Sequence, residues 1–313
     1  TNLYSFEKHL AEIPDDAFEH HCRGNDISRW LYSLAEVDLA NQVRQLRSED
    51  FASAAVHRRH LVGLIRAQRI RRQHGIVVNF DADRFDPDTD FLKIGNGSLG
   101  GKARGLAFMS AMLYQQADRW SRFENVDLFV PQTLVITTAS FDAFMAANAL
   151  QAVAKADLPD ATVARRFLAA PLPEDLRTQL SAFLTHLEGP VAVRSSSLLE
   201  DAAHKPYAGL YDTYFLSNDA PNMDTRLAQL AQAIKRVYAS TYFKAPKAFS
   251  RRVGNRIESE KMAVIVQRLV GRRHNAHFYP AISGVAQSEN YYPFGRMQPA
   301  DGIASIALGL GKT

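Results

Sequence analysis

The sequence predicts an α+β fold in which a helical N-terminal region precedes a domain of mixed helices and strands. Apolar residues recur at helical spacing through the first 75 residues. From about residue 92, short segments rich in Val, Ile, Thr and aromatic residues alternate with helical segments. Between these parts, residues 81–91 (DADRFDPDTDF) are acidic and lack apolar periodicity. We therefore predict a linker there and two domains, 1–88 and 89–313.

The composition is that of a folded protein without a disulfide framework. Of the 313 residues, 46% are hydrophobic and 22% charged, which allows a large core and excludes wholesale disorder. A net charge of +4 does not require a polyanionic partner. The lone Cys22 fits a reducing compartment, and no apolar run reaches the roughly 18 residues of a membrane span. We expect a cytoplasmic protein, not bound to a membrane. The ends, Thr1 and ALGLGKT, favour a piece of a longer polypeptide.

The N-terminal region contains one clear amphipathic pattern and one basic pattern. Residues 25–47 place apolar side chains near helical spacing, with Asn25 or Asp26 as the N-cap. Residues 57–75 are the most basic segment. Four of its arginines share about a third of a helical circumference: Arg58, Arg66, Arg69 and Arg72. Such a face could contact nucleic acid, but it has no interleaved aromatic residue. A solvated face, or one docked on an acidic neighbour, is favoured, and a nucleic-acid partner is not expected.

The second part alternates strands and helices. A helix is expected to follow the glycines near residue 100, and another to cover 225–238. The predicted strands are 91–94 (FLKI), 134–137 (LVIT), 191–196 (VAVRSS), 213–217 (TYFLS) and 261–270 (KMAVIVQRLV).

A glycine cluster opens the first of these helices. Gly95, Gly97 and Gly100 form G-x-G-x-x-G, and Lys102 follows in the first turn. Glycines let a backbone approach a phosphate, and a helix N-terminus favours an anion. The pattern alone is also typical of a tight turn. A Rossmann turn lacks its acidic partner here, and the protein-kinase motifs are absent. The terminal GLGKT fails the P-loop pattern because Ile306 stands where a glycine is needed.

A second candidate region is 189–218. A predicted strand carries Arg194 to its end, followed by Ser195, Ser196 and Ser197. An arginine and freed amides there can hold phosphate oxygens. In the equally weighted alternative, Arg194 is only paired by the acidic residues of a capped turn. Those residues are Glu200 and Asp201.

Four ordered blocks resemble the nucleotide-binding domain of the phosphoenolpyruvate synthase / pyruvate phosphate dikinase family. They are GSLGGKARGLAFM, VPQTLVITTASFDAFM, VAVRSSSLLEDAAHKPYAGLYDTYF and MAVIVQRLV…SGVA. The resemblance covers the chain from about residue 92 to its end. It implies an ATP-grasp fold, incomplete at its C-terminus, in which ATP lies between two α+β subdomains.

The resemblance also implies roles for particular residues. Lys102 would reach the ATP phosphates, and Arg194, beside Ser195, would stabilise charge on the transferring phosphoryl groups. Gly209 and Thr213 would lie in the loop that folds over the phosphates. Gln267 would mark the hinge beside the adenine, with Leu269 and Val270 as its apolar surround. Such a clamp is what phosphoryl transfer requires.

Several positions depart from the family pattern. Ser197 and Leu198 replace Ala-Thr, Leu210 replaces a glutamine, and Lys312 replaces a glutamate. These changes indicate a divergent subfamily. The family's Mg²⁺-binding acidic residues, its phosphohistidine domain and its pyruvate-binding barrel would all lie beyond this chain.

We therefore expect the ATP-binding part of a phosphotransferase that passes a phosphoryl group through a histidine on another domain to pyruvate or another acceptor. The expected cofactors are ATP and Mg²⁺, with no metal ligands in this chain, which we expect to be inactive alone. His204 is expected to be a solvated loop residue rather than an acceptor. The alternative is a regulatory nucleotide-binding module that has lost catalysis and acts through its helical leader.

Overall fold

The computed structural model describes residues 2–120, 122–198, 209–254 and 256–311. The chain divides into two compact units. The first comprises Thr1–Lys93 and Gly105–Val130, and the second comprises Ile94–Arg104 and Pro131–Thr313. The domain boundary at residues 88 and 89 stays a prediction. None of the helices in the described residues combines the length and apolar character that a membrane span requires.

Helices account for most of the regular structure. They are α1 (Leu3–Glu12), α2 (Asp15–Arg23), α3 (Asp26–Ser33), α4 (Val37–Gln45), α5 (Ala54–Gln73), α6 (Gly100–Gln115), α7 (Ala117–Trp120), α8 (Thr138–Ala147), α9 (Gln151–Lys155), α10 (Asp160–Ala169), α11 (Glu174–His186), α12 (Met223–Ser240) and α13 (Lys244–Val253), with short 3-10 turns at Ser48–Asp50, Ile257–Ser259 and Pro299–Asp301.

Ten strands complete the described chain. They are β1 (Val78–Asn79), β2 (Phe91–Ile94), β3 (Thr133–Ile136), β4 (Val191–Ser197), β5 (Thr213–Leu216), β6 (Met262–Arg268), β7 (Arg272–His274), β8 (His277–Tyr279), β9 (Ile282–Gln287) and β10 (Ile303–Leu308). Strands β1 and β2 pair in parallel. In the second unit the order β3-β6-β4-β5 is antiparallel throughout, and β7–β8 and β9–β10 form hairpins. These pairings and the helical N-terminal region confirm the mixed α+β class.

The first unit is helical around one apolar cluster. The pattern at 25–47 forms two helices, α3 and α4, rather than one. Ala35 between them adopts a left-handed conformation, φ 59°. Asn25 takes the predicted N-cap position but with φ 55° and no side-chain cap hydrogen bond. The core of the unit comprises Leu10, Phe18, Ile27, Leu31, Leu39, Ala40, Val43, Leu61 and Ile65.

The basic face of α5 docks on acidic residues within its own unit. Arg69 is 3% exposed and donates to Glu7 Oε2 at 2.8 Å, to Asp88 Oδ2 at 2.7 Å and to Asp86. The other three arginines also pair with carboxylates: Arg58 with Asp15, Arg66 with Asp88 at 3.4 Å and Arg72 with Glu36 at 2.6 Å. The interpretation that this face meets an acidic neighbour is confirmed. Part of that neighbour is the acidic stretch 81–91, a loop between β1 and β2.

A buried histidine on α5 makes the stability of this unit sensitive to acid. His57 is 2% exposed, and neither ring nitrogen has a hydrogen-bond partner in the described part of the chain. Its ring stacks on Phe51 with centroids 4.3 Å apart and meets Phe18 edge-on. Burial, and then the charge of His60, lower the pKa of His57. Below about pH 6.5 the imidazole of His57 is therefore protonated more readily in the unfolded chain than in the folded chain. The free energy of unfolding consequently falls as the pH falls.

We expect His57→Phe to raise the free energy of unfolding by about 1 kcal/mol, because it removes two unsatisfied buried polar atoms. It should also flatten the decline in stability from about pH 6.5 to pH 5. Urea unfolding at several pH values measures both effects. His20→Gln, at an exposed histidine of α2, is the control and should keep the decline. An equally steep decline in His57→Phe would contradict the account.

The second unit packs helices on one face of its antiparallel strands. Tyr238 of α12 is fully buried, with ring centroids 5.0 Å from Phe141 and 5.4 Å from Phe144, both on α8. The guanidinium of Arg236, also on α12, lies over the ring of Tyr214 on β5. Helix α12 therefore covers the face of the sheet to which Tyr214 belongs. The five predicted strands are all present, with ends shifted by at most two residues. Helix α12 extends the predicted helix 225–238 by two residues at each end, and α6 follows the glycines as predicted.

Candidate functional site

The glycine cluster forms a tightly packed loop between β2 and α6. Gly100 begins α6 with φ 75°, and a Cβ there would lie 1.7 Å from the carbonyl oxygen of Ser196. A Cβ at Gly97 would lie 2.4 Å from the amide nitrogen of Ala139. Any side chain at either position would displace backbone. Close approach of main chains, therefore, is one physical reason for these glycines.

Three amides of this loop are engaged inside the protein. Gly97 N–H donates to Thr137 Oγ1 at 3.2 Å and Ser98 N–H to Thr138 Oγ1 at 2.9 Å. Gly100 N–H donates to Ser98 Oγ at 3.2 Å. The first two amides hold the loop against the start of α8, and the third closes a hydrogen bond within the loop. Lys102 is thus the side chain through which the loop can offer a positive charge.

The start of α6 is fixed to the end of β4 by its serines. Ser196 Oγ accepts from Ala103 N–H at 3.0 Å and donates to the carbonyl oxygen of Leu99 at 2.8 Å. Lys102 Nζ donates to Ser195 Oγ at 3.3 Å. The structure therefore brings together two predicted site residues, Lys102 and Ser195, that are 93 positions apart in sequence.

Arg194 and Gln267 lie on one face of the sheet. In the antiparallel register Gln267 is opposite Ala192, and Arg194 is two residues further along β4. Opposite residues and residues two apart share a face, and two residues span about 7 Å. Thr213 is directly opposite Arg194 on β5 and is exposed. Arg194 itself is half-buried. It is the fourth of the seven residues of β4, so the prediction that it lies at the end of this strand is wrong, because the serines that follow it continue the pairing with β6.

Ser195 has the opposite parity and lies on the face that α12 covers. Its side chain is fully buried, and it is opposite Val264 of β6. Its hydroxyl therefore contacts Lys102 from the covered side of the sheet, while the guanidinium of Arg194 belongs to the other face. The predicted phosphate contacts thus come from two directions at the end of β4.

The predicted adenine-side residues lie at the end of β6. Gln267 Nε2 donates to Thr133 Oγ1 at 3.0 Å, which holds the amide in place. Leu269 follows the strand, and its N–H donates to the carbonyl oxygen of Pro190 at 2.9 Å. Val270 is 55% exposed. An oriented amide beside an exposed apolar side chain can contact an aromatic base.

Gly209 lies in a turn that precedes β5. Gly209 has φ 73°, a conformation that favours glycine. Thr213, predicted in a loop and also in a strand, is the first residue of β5. Predictions for Glu200, Asp201, His204 and Lys312 fall outside the described residues.

Two features of the site were not predicted from the sequence. Phe215, opposite Ala192, shares the face of Arg194 and Gln267 and is 69% exposed; period-2 alternation along TYFL could have placed it there. Tyr214, on the covered face, donates to Asp212 Oδ2 at 2.7 Å. Burial, and then that carboxylate, raise the pKa of Tyr214 to about 12. It is therefore a neutral hydrogen-bond donor, not a base.

Comparison with known proteins identifies one family and one curated relative. The family model described as pyruvate phosphate dikinase, AMP/ATP-binding domain, matches residues 96–313. A Bacillus subtilis (strain 168) protein named uncharacterized phosphotransferase YvkC is 26% identical over 176 residues. That alignment covers 52% of this chain and 20% of the relative. The chain therefore spans about a fifth of the length of this curated relative.

Proposed function

From the premise that this chain belongs to the family of the pyruvate phosphate dikinase AMP/ATP-binding domain, we propose that it is the ATP-binding part of a phosphotransferase related to phosphoenolpyruvate synthase. In this proposal the domain at 89–313 is of the ATP-grasp type. The observation that carries the proposal is the junction of α6 with β4. There Lys102 contacts Ser195, which follows Arg194 in β4, and Gln267 lies about two residues from Arg194 along the sheet.

The phosphate end of the nucleotide lies at the junction of α6 with β4. Arg194 presents a forked guanidinium that matches phosphate oxygens, and Lys102 adds a point charge. Ser195 acts through Lys102, because its buried hydroxyl holds the ammonium at 3.3 Å. Thr213 and Gly209 border the phosphates from β5 and the turn before it. Electrostatic stabilisation and positioning are the main contributions that a protein makes to phosphoryl transfer.

The base end of the nucleotide lies at the end of β6. Gln267 contacts the adenine through an amide that Thr133 orients. Leu269 and Val270 supply apolar contact beside it. The exposed ring of Phe215 lies on the same face and is available for stacking.

The phosphoryl group then passes to a histidine on another domain and from there to pyruvate or another acceptor. Phosphoryl transfer from ATP uses Mg²⁺. No group of three or more His, Cys, Asp or Glu that could hold a metal ion occurs among the described residues.

Turnover of ATP by the full-length protein tests this function. We expect Arg194→Met to lower the rate of ATP cleavage about a hundredfold or more, because it removes a donor to the transferring group. The control is Arg252→Met, which changes an exposed arginine in the last turn of α13 and should leave the rate within about twofold. ATP cleavage that survives in Arg194→Met would contradict the assignment. Binding of ATP without any cleavage by the full-length protein would favour a regulatory module instead.

A further inference from the structure

A basic cavity lies in the second unit, on elements that carry none of the proposed nucleotide contacts. Its volume is about 220 Å³, and it lies between the end of α9, helix α13 and the 3-10 turn that follows α13. Four cationic side chains line it: Lys155, Lys247, Arg251 and Arg256. Asp157 is the acidic side chain among the described lining residues. The charge of the described lining is therefore strongly positive.

Favourable helix-end electrostatics explains only part of this charge. Lys155 and Arg251 lie in the last turns of α9 and α13, where the helix dipole favours cations. Lys247 lies near the first turn of α13, where the dipole disfavours a cation. Arg256 lies beyond the end of α13. A general rule about helix ends therefore does not account for the convergence of these two residues on the cavity.

Lys247 is built into the wall of the cavity. It is 7% exposed, and its Nζ donates to the carbonyl oxygen of Ala156 at 2.6 Å. Arg251 is four residues further along α13, so both side chains lie on the same face of the helix. Arg251 Nε bonds back to the carbonyl oxygen of Lys247 at 3.4 Å. Lys247 and Arg251 therefore both belong to the wall of the cavity that α13 forms.

We propose that this cavity binds a small phosphate-type anion. The cavity is lined by both arginine and lysine side chains, and an arginine fork and an ammonium match the oxygens of a tetrahedral phosphate. A volume of about 220 Å³ is below the usual range for drug-sized ligands. The ligand class is therefore inorganic phosphate or diphosphate rather than a whole nucleotide.

Calorimetric titration of this chain with inorganic pyrophosphate, and separately with orthophosphate, at about 0.15 M ionic strength tests the proposal. We expect saturable binding that Arg251→Gln and Arg256→Gln each weaken about tenfold or more. Both residues are exposed at the rim, so these variants should fold. The matched control Arg252→Gln, one residue along α13 and not among the lining residues, should change the affinity less than about twofold. Comparison of the two anions decides between a single phosphate and a diphosphate.

Arg194→Met separates this cavity from the proposed nucleotide site, because it removes a phosphate contact of that site and should keep the binding event that Arg251→Gln and Arg256→Gln weaken. Loss of binding in Arg194→Met, with affinity kept in Arg251→Gln, would place the anion at the nucleotide site and overturn the proposal. Equal weakening by Arg252→Gln would show a diffuse charge effect and overturn it too. Absence of saturable binding of either anion up to about 10 mM would do the same.

Discussion

Arg69→Ala should lower the free energy of unfolding of the first unit by about 3–5 kcal/mol, because it leaves buried carboxylates without their cation. Arg69 is almost fully buried and donates to Glu7, Asp86 and Asp88. Asp86 is also buried, so water cannot readily replace the lost guanidinium. Chemical unfolding monitored on the whole chain, with a signal from the first unit, measures the change.

Arg66→Ala is the matched control, since Arg66 lies on the same face of α5 and also meets Asp88. Arg66 is 56% exposed, and its nitrogen lies 3.4 Å from the carboxylate. An exposed pair of this kind contributes about 1 kcal/mol or less. Equal costs for the two variants would contradict a special role for the buried arginine.

The effect of Arg69→Ala should shrink in acid. Burial would raise the pKa of Asp88, but its hydrogen bond with Arg69 and the charge of Arg66 hold that pKa below its usual range. A lowered folded-state pKa contributes stability above the unfolded pKa of about 3.9 and loses it as pH falls through the folded value. The difference in the free energy of unfolding between the wild type and Arg69→Ala should therefore decrease below about pH 4.

Gly100→Ala should cost about 3–5 kcal/mol of folding free energy, since it combines backbone strain with a steric clash. Residue 100 has φ 75°, and the new Cβ would lie 1.7 Å from the carbonyl oxygen of Ser196. Relief of that clash would move the start of α6 away from β4. Lys102 and Ser195 would then separate, and the affinity for ATP should fall with stability. Thermal unfolding and ATP titration measure the two effects.

Gly105→Ala is the control within the same helix. A Cβ at Gly105 would meet nothing within 4 Å, so alanine should stabilise the helix by about 0.5–1 kcal/mol. If Gly100→Ala were as stable as Gly105→Ala, the close approach of α6 and β4 would be wrong.

The strands were predictable because their signal is local. FLKI forms β2 at the predicted residues 91–94, and VAVRSS lies entirely within β4. A run of β-branched residues bounded by turn residues identifies a strand without reference to the rest of the chain. The break between α3 and α4 was not predictable in this way. Apolar spacing continues across it, and Ala35 carries no sequence signal for a left-handed conformation.

The role of the glycine loop depends on residues far away in sequence. The pattern G-x-G-x-x-G predicted either a backbone that approaches a phosphate or a tight turn. In the structure the glycines approach other parts of the main chain, and the phosphate contact stays a prediction. The approached groups include Thr137, Thr138 and Ser196, some 40 to 97 positions distant. Single-sequence patterns do not reveal such partners. The acidic stretch 81–91 is a similar case. The sequence predicted a linker there, and the pairing of Asp86 and Asp88 with Arg69 could not be predicted because it depends on tertiary structure.

The family resemblance supplied the residues that spacing could not. Four blocks in order indicated the family, and the family match over 96–313 confirms it. The blocks did not reveal that Ser195 is buried on the covered face while Arg194 belongs to the other. Parity along a strand can be predicted, but which face a helix covers depends on the packing of α8 and α12.

Thermal unfolding of this chain with and without Mg-ATP shows whether ATP binds where α6 meets β4. At about 100 times Kd, ATP should stabilise the wild type by about 2.7 kcal/mol. For a chain of this size that is a rise in Tm of roughly 5–10 °C. Lys102→Met and Arg194→Met should lose the rise, and Arg252→Met should keep it. An unchanged Tm in the wild type, or a rise that survives in Lys102→Met and Arg194→Met, would contradict the claim.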